Sequence, residues 1–306
     1  MQARFRTPAA PPLPPIGRVQ SWIQRPPIPA LRPFIQLLWA SSRRAMPEVL
    51  ILAERERMVP TACMHLVFRL SDQPIRIFKS IEDAEGDTFC RGAVGGIRSR
   101  YYVKDIAASA FTVGASLRPG ACEALLGVPA DEVSDRHVAL EDLWGNAARS
   151  LWERLQETGD LERRLDVLEI FLAKRLPRVY AIHPAIAHML SRFSTTRDIG
   201  KIVEETGYSH RHVIELFRRT VGLSPRIYTR LLRFQETLRH GFDKTRGRWI
   251  DVALEAGYAD QAHFNREFRE LTGVSPTEYL LNRGEDSHHV LIRGQFCSIR
   301  GSAKEA

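Results

Sequence analysis

The sequence predicts an α+β protein, in which a small β-sheet or barrel-like N-terminal domain with a helical extension precedes an all-α C-terminal domain. Three observations support this prediction. Short segments rich in branched and aromatic residues fill the region from Leu31 to Gly120, apolar residues then recur at three- and four-residue spacing, and one segment near the C-terminus occurs twice. A chain of 306 residues is long enough for two domains of ordinary size.

Residues 1–30 are rich in proline, which interrupts both helices and sheet ladders, so we expect a flexible leader there. Residues 31–180 are expected to form a sensor or oligomerisation domain, with strands first and helices later. The expected strands lie in the segments LRPFIQLLWA, EVLILAERERMVP, ACMHLVFRL, PIRIFKSI and FTVGASLRPG, interrupted by Gly92, Gly95 and Gly96.

Helices are expected after Gly120, in ACEALLGV, LEDLWGNAARSLWERLQ and LERRLDVLEIFLAKRL. The last of these carries an apolar stripe made of Leu161, Leu165, Leu168, Phe171 and Leu172. Such a stripe serves either as core packing, which we favour, or as a dimer contact. Pro177 ends this helix, so the region up to Pro184 is the expected domain boundary.

The composition excludes several classes of protein. A net charge of +8 and a pI near 9.6 suit a polyanionic partner, although this is weak support by itself. The cysteines at positions 63, 90, 122 and 297 form no CxxC pair, which disfavours a zinc ribbon or a disulfide framework. No apolar run approaches the roughly 18 residues of a membrane span, so we expect a cytoplasmic protein without a membrane partner.

His65 is a candidate metal ligand, since β-barrels of cupin type bind metals through histidine and carboxylates. No second histidine stands two to four residues away, so a core or pocket-lining histidine is favoured. The sequence also lacks the GxSxG, P-loop and GxGxxG motifs. We therefore predict no enzyme, no cofactor and no metal site, and we assign no ligand-binding residue.

The duplicated segment reads GYSHRHVIELFRRTVGLSP from Gly207 to Pro225 and GYADQAHFNREFRELTGVSP from Gly257 to Pro276. Both copies begin with Gly-Tyr, contain a Phe-Arg pair and end with Gly-x-Ser-Pro. Each pattern predicts a short helix, a left-handed glycine, a tight turn and a second helix. Together these form a helix-turn-helix unit.

The second helix of each copy has an apolar inner face and a polar outer face. Such a helix can be anchored from behind while its leading half reaches base edges in the major groove. Between the copies, about 15 residues from Pro225 to His240 predict a rod of roughly 22 Å. A rod of this length can hold two recognition helices over successive major-groove segments, which lie about 34 Å apart.

On these residues, the region 185–283 resembles the DNA-binding domain of the AraC/XylS family of bacterial transcription regulators. The resemblance is carried by LRFQETL, by ALEAGYADQAHFNREFRELTGVSPTEY and by the two Gly-Tyr turns. The segment from Ser116 to Gly145 resembles a sensor-like domain found in one subgroup of that family. Residues 284–306 are left as a flexible tail.

The resemblance implies which residues contact DNA. In the first recognition helix these are Arg211, Ile214 and Glu215, and in the second they are Gln261, Ala262, His263 and Arg266. The helical pattern adds Arg218 and Arg219 to the first surface, and Asn265 and Arg269 to the second. Glu215 departs from the family, which often has a basic residue there. Phosphates repel a carboxylate unless it accepts from a cytosine N4 or pairs with Arg211 or Arg218. We therefore expect the second helix to read the sequence and the first to anchor on phosphates through Arg218 and Arg219.

The function predicted is a sequence-specific DNA-binding transcriptional regulator, with double-stranded promoter DNA as its partner. A small-molecule effector, RNA polymerase in the case of an activator, and a homodimer formed through the N-terminal domain are the other expected partners. Two alternatives stay open, namely a protein-interaction module with a vestigial repeat and a metal-dependent β-barrel enzyme.

Overall fold

The structure, a computed structural model, describes residues 19–43, 55–71, 73–106, 110–178, 181–243, 249–284 and 287–292. Residues 1–18 of the expected leader and residues 293–306 of the expected tail, including Cys297, lie outside this part. The described chain has a β-rich N-terminal domain and a helical C-terminal domain, which is the α+β class that the sequence predicts.

Two antiparallel sheets form the N-terminal domain. The six-stranded sheet has the order β1-β2-β9-β4-β7-β10 and the five-stranded sheet the order β11-β3-β8-β5-β6. The strands are β1 Val19–Arg25, β2 Ile35–Arg43, β3 Arg55–Met58, β4 Met64–Arg69, β5 Ile75–Phe78, β6 Asp87–Phe89, β7 Gly92–Gly95, β8 Tyr102–Asp105, β9 Ala110–Leu117, β10 His137–Ala139 and β11 His289–Ile292.

The first strand corrects the predicted leader. Strand β1 pairs with β2 along its length, so a flexible segment reaching residue 30 is wrong for residues 19–30. Strand β1 itself contains no proline, since Pro15 precedes it and Pro26 follows it. Arg25 donates to Asp166 and Glu169 at 2.8 Å, and the backbone N–H of Ile28 donates to Glu169 at 2.7 Å. These contacts anchor the segment on a helix of the same domain.

The last strand corrects the predicted tail in the same way. Strand β11 pairs with β3, so residues 289–292 belong to the five-stranded sheet instead of a flexible end. His289 Nδ1 lies 3.0 Å from the buried carboxylate of Glu56, which also pairs with Lys104 at 3.1 Å. The chain therefore returns to the N-terminal domain after completing the helical one.

A glycine-rich strand corrects the expected break in the sheet. Strand β7 contains two of the glycines that were expected to interrupt the strands, and it lies between β4 and β10. A Cβ atom on Gly92 would lie 2.9 Å from the ring of Phe68, so the absent side chain permits close packing.

The helices follow the predicted order. They are α1 Cys122–Leu126, α2 Leu140–Trp144, α3 Asn146–Glu157, α4 Leu161–Arg175, α5 Pro184–Arg192, α6 Ile199–Thr206, α7 His210–Val221, α8 Pro225–Asp243, α9 Trp249–Glu255, α10 Gln261–Thr272 and α11 Pro276–Asn282. On α4, Leu165, Leu168 and Leu172 are fully buried, and the helix packs against β2 and β9. The core interpretation of this stripe is confirmed.

One continuous hydrophobic core runs from the six-stranded sheet through α4 into the helical domain. A smaller cluster around Ile75, Ile77 and Phe89 lies on the five-stranded sheet. Among the helices that the structure describes, none combines the length and the apolar character needed to cross a bilayer.

Candidate DNA interface

The first helix-turn-helix unit forms as its sequence predicts. Helix α6 ends at Gly207, whose φ of +73° closes it with a left-handed cap. Ser209 then caps α7, its side chain accepting from the backbone N–H of His212. Val213 and Phe217 point inward and are fully buried. The opposite face of α7 is therefore held outward by a packed core.

The second unit repeats this plan. Gly257 has a φ of +79°, and Asp260 caps α10 by accepting from the N–H of His263 at 2.7 Å. Phe264 and Phe268 are fully buried and meet edge to face, with ring centroids 5.5 Å apart. The next helix, α11, begins with a complete capping box between the N-cap residue Ser275 and the third helical residue, Glu278.

The outer face of α7 is exposed at Arg211, Glu215 and Arg218, and Ile214 is half-buried. Within the described residues, no arginine lies within ion-pair distance of the Glu215 carboxylate. The structure therefore does not show the predicted pairing of Glu215 with Arg211 or Arg218. Acceptance from a cytosine N4 stays a prediction.

Arg219 lies in a different setting from Arg218. Its guanidinium is 3.9 Å from the carboxylate of Glu123, at the start of α1 in the N-terminal domain. Both side chains are more than half exposed, so this pair contributes little to stability. The contact turns Arg219 toward the N-terminal domain, which makes Arg218 the better placed of the two for a phosphate.

The outer face of α10 carries most of the predicted base-reading residues. Gln261, Ala262, Asn265, Arg266 and Arg269 are all exposed. Within the described residues, no carboxylate pairs with Arg266. The unpaired amide and guanidinium groups are the types that bond adenine and guanine edges.

His263 is the exception on this helix. Its ring packs edge to face on Tyr258, with centroids 5.4 Å apart, and its Nε2 lies 3.9 Å from Glu267. The ring is half-buried. His263 is thus partly occupied in supporting the unit, and its role in base contact stays a prediction.

A buried glutamate organises the back of α10. Glu267 accepts from the hydroxyl of Tyr258 at 2.8 Å and from Arg233 at 2.7 Å, and its carboxylate lies 3.2 Å from Arg230 Nε. Burial and then the Glu267 charge raise the pKa of Tyr258, so its hydroxyl stays protonated and donates. This network ties the recognition helix to α8.

A cleft of about 640 Å³ opens between α8, the start of α6 and α10. Five arginines line it, together with His263, Glu267 and Glu270; they are Arg197, Arg226, Arg230, Arg233 and Arg266. Sequence reasoning treated α8 as a spacer and missed this site. The available signal was the spacing of Arg226, Arg230 and Arg233, which places them on one side of a helix.

The N-terminal domain contacts the same position in both copies of the repeat. A Cβ on Gly222, just after α7, would lie 2.7 Å from Ile97, and a Cβ on Gly273, just after α10, would lie 2.6 Å from the Tyr101 ring. The N–H of Tyr101 also donates to the carbonyl of Leu271 at 2.9 Å. Both recognition helices are therefore held at their C-terminal ends by one domain.

His65 lies in a polar cluster on the N-terminal side of this junction. Its Nε2 is 2.6 Å from Thr61 Oγ1 and 3.4 Å from Cys63 Sγ, and its Nδ1 is 3.2 Å from Ser116 Oγ. No group of three metal-binding side chains occurs in the part of the chain that the structure describes. Histidine within a packed polar cluster is the interpretation that this geometry supports.

The surroundings of His65 predict that the thiols of Cys63 and Cys122 differ in reactivity. Burial raises the pKa of the Cys63 thiol, but His65 and Thr61 outweigh it, and the net pKa lies below the ordinary value. At Cys122, burial and neighbouring carboxylates raise the pKa to about 12. We expect iodoacetamide at pH 7.5 to modify Cys63 at least about tenfold faster than Cys122, measured by peptide mass spectrometry.

His65→Ala should slow the modification of Cys63, and unfolding in guanidinium should equalise the two thiols. Equal rates at Cys63 and Cys122 in the folded protein would contradict the prediction.

Known proteins are similar to this chain in its helical domain. Residues 202–282 match the family described as "Helix-turn-helix domain". The chain is 30% identical over 88 residues to the HTH-type transcriptional regulator MtrA of Neisseria gonorrhoeae, and 31% identical over 81 residues to the HTH-type transcriptional activator AarP of Providencia stuartii. The C-terminal domain is a helix-turn-helix domain of AraC type. Both relatives are named as transcription regulators, in agreement with the prediction that the chain is not an enzyme.

These matches cover part of each protein. The alignment spans 29% of this chain and 29% of MtrA, and 26% of this chain and 59% of AarP. The chain therefore covers less than two thirds of either relative. Residues 23–139 match a second family, described as "Domain of unknown function (DUF6597)".

Among solved structures, ToxT from Vibrio cholerae is similar over most of its length. One structure of ToxT gives a TM-score of 0.42 at 12% identity and covers 85% of this chain and 98% of ToxT. Another, of ToxT with a bound unsaturated fatty acid, gives a TM-score of 0.45 at 11% identity and covers 81% of this chain and 95% of ToxT.

Proposed function

We propose that this chain is a sequence-specific DNA-binding transcriptional regulator that inserts α7 and α10 into successive major-groove segments of one duplex. The observation that carries the proposal is the pair of capped helices with buried inner faces and exposed polar outer faces, one in each of the two units, with the long helix α8 between α7 and the second unit. Helix α8 has 19 residues, and its length of roughly 28 Å is comparable with the rise of one DNA turn.

The two helices have different roles in this proposal. Helix α10 reads bases through Gln261, Asn265 and Arg266, supported by their exposure on its outer face. Helix α7 anchors the domain on phosphates through Arg218, since its Arg219 faces the N-terminal domain. Ala262, Ile214 and Arg269 complete the surfaces that approach the duplex.

The N-terminal domain controls this pair of helices in the proposal, because it contacts the end of each one. An effector or a second copy of the chain that altered this domain would change how the two helices are held. The name of AarP as an activator supports activation, with RNA polymerase as the further partner. Such a regulator acts in the cytoplasm.

Gln261→Ala tests base reading. We expect this variant to lose about 1 to 3 kcal/mol of discrimination between its site and a mismatched duplex, because a glutamine can bond adenine through both its amide atoms. The site is first located by footprinting DNA that flanks the coding region. Fluorescence anisotropy then measures affinity for the matched and mismatched duplexes.

Arg218→Gln is the matched variant for phosphate anchoring. It should weaken binding to both duplexes alike and lower the slope of log K against log salt by about 0.9. A wild-type chain that bound all duplexes equally, or none, would favour the interaction-module alternative.

A further inference from the structure

Helix α8 carries a row of arginines that a spacer does not need. Arg226, Arg230 and Arg233 stand at i, i+4 and i+7, so they share one side of the helix. All three line the cleft between the two helix-turn-helix units. A neighbouring side of α8, about 100° round the helix axis, is the packed one, with Leu231, Phe234 and Leu238 buried.

Carboxylates neutralise only part of this row. Glu267 and Glu270 pair with Arg230, and Glu267 also pairs with Arg233. Among the residues that the structure describes, no carboxylate pairs with Arg226, which is exposed. Arg197 pairs with Glu236, which lies outside the lining of the cleft. Five arginines against Glu267, Glu270 and Glu236 still leave the cleft with a positive charge.

The cleft adjoins the face of α10 that is proposed to read bases. Arg266 belongs to that exposed face and also lines the cleft. Arg197 contributes from just before α6, the first helix of the other unit. A duplex lying along α10 therefore meets the opening of the cleft as it passes toward α7.

We propose that α8 is part of the DNA-binding surface, and that the arginines of this cleft bind phosphate groups of the duplex between its two major-groove segments. This inference rests on the proposed function. Arginine suits the role because its guanidinium stays charged and donates two parallel hydrogen bonds to phosphate oxygens. An apolar effector does not fit, since pockets for such ligands are lined mainly by hydrophobic and aromatic side chains.

Arg226→Gln in the full-length chain tests the proposal, because this side chain is exposed and its removal leaves no carboxylate unpaired. The probe is a mixed-sequence duplex of about 30 base pairs, long enough for two major-groove segments. Its affinity is measured by fluorescence anisotropy between 50 and 200 mM salt. Losing one phosphate contact lowers the slope of log K against log salt by about 0.9, so the fall in affinity over this range becomes about threefold smaller.

Arg163→Gln is the matched control. Arg163 is an exposed arginine on α4, in the N-terminal domain, so its variant should keep the wild-type slope. A wild-type slope in Arg226→Gln would overturn the cleft proposal, while the Gln261→Ala result would still decide the proposed function. Absence of DNA binding by the wild-type chain would overturn both.

A free phosphate-containing anion is the other ligand that these arginines can bind. In buffers of equal ionic strength, inorganic phosphate and pyrophosphate are tested for a rise in Tm of the wild-type chain without DNA. The proposal expects no rise that depends on Arg226. A rise that Arg226→Gln removes, together with an unchanged DNA slope, would assign the cleft to a free phosphorylated ligand and overturn the proposal.

Discussion

Replacing Gly222 with alanine is expected to lower the free energy of unfolding by about 3 kcal/mol, the sum of backbone strain and overpacking. Gly222 has a φ of +100°, which L residues rarely adopt. A Cβ there would lie 2.7 Å from Ile97 Cγ2 and 3.1 Å from the carbonyl oxygen of Ala130. Ile97 is 1% exposed, so it has little room to move. Equilibrium unfolding in guanidinium measures the change.

Gly207→Ala is the matched control for backbone strain. Gly207 also has a positive φ, of +73°, but a Cβ there would meet no atom within 4 Å. We expect this variant to cost about 1 kcal/mol. The difference between the two variants therefore reports the packing of the N-terminal domain against the end of α7. Equal losses would show that this junction contributes nothing to stability.

Local sequence signals predicted the helical domain well, for a physical reason. Turns depend on residues a few positions apart, so the left-handed glycines Gly207 and Gly257 could be predicted from their own segments alone. The inner faces of α7 and α10 follow from helical periodicity, which a single segment displays. Apart from the half-buried His263, the predicted DNA-contacting residues of α10 are exposed, and their contacts with DNA stay predictions.

Pairing between distant segments could not be predicted in this way. Strand β11 joins β3 across more than 200 residues, and no turn signal links the two. Strand β1 was hidden because the surrounding prolines dominate the composition of its region. The arginines of α8 were visible, but only the placement of α10 shows that they line a cleft. A helical pattern shows which residues share a face but does not identify what that face meets.

Glu267→Gln is expected to lower the free energy of unfolding by about 2 to 3 kcal/mol, somewhat below the usual cost of breaking a buried ion pair because its partners are only partly buried. Its side chain is 7% exposed, and those of Arg233 and Arg230 are 19% and 30% exposed. Glutamine keeps the shape of glutamate, so the change removes charge without opening a cavity. Guanidinium unfolding again measures the effect.

Glu270→Gln is the control on the same helix. Glu270 pairs with Arg230 but is 56% exposed, so solvent already screens the pair. We expect a loss below about 1 kcal/mol. A loss as large as that of Glu267→Gln would mean that burial of the carboxylate is not what makes Glu267 important.

Glu267→Gln should strengthen DNA binding, although it lowers the stability of the fold. The variant removes a negative charge from the arginine-lined cleft and releases donors on Arg233 and Arg230. One further phosphate contact would steepen the salt slope by about 0.9 and strengthen binding at low salt. A chain that is less stable yet binds a mixed-sequence duplex more tightly is hard to explain by damage to the fold. If affinity falls together with stability, Glu267 positions the arginines for phosphate, and neutralising them is not its main role.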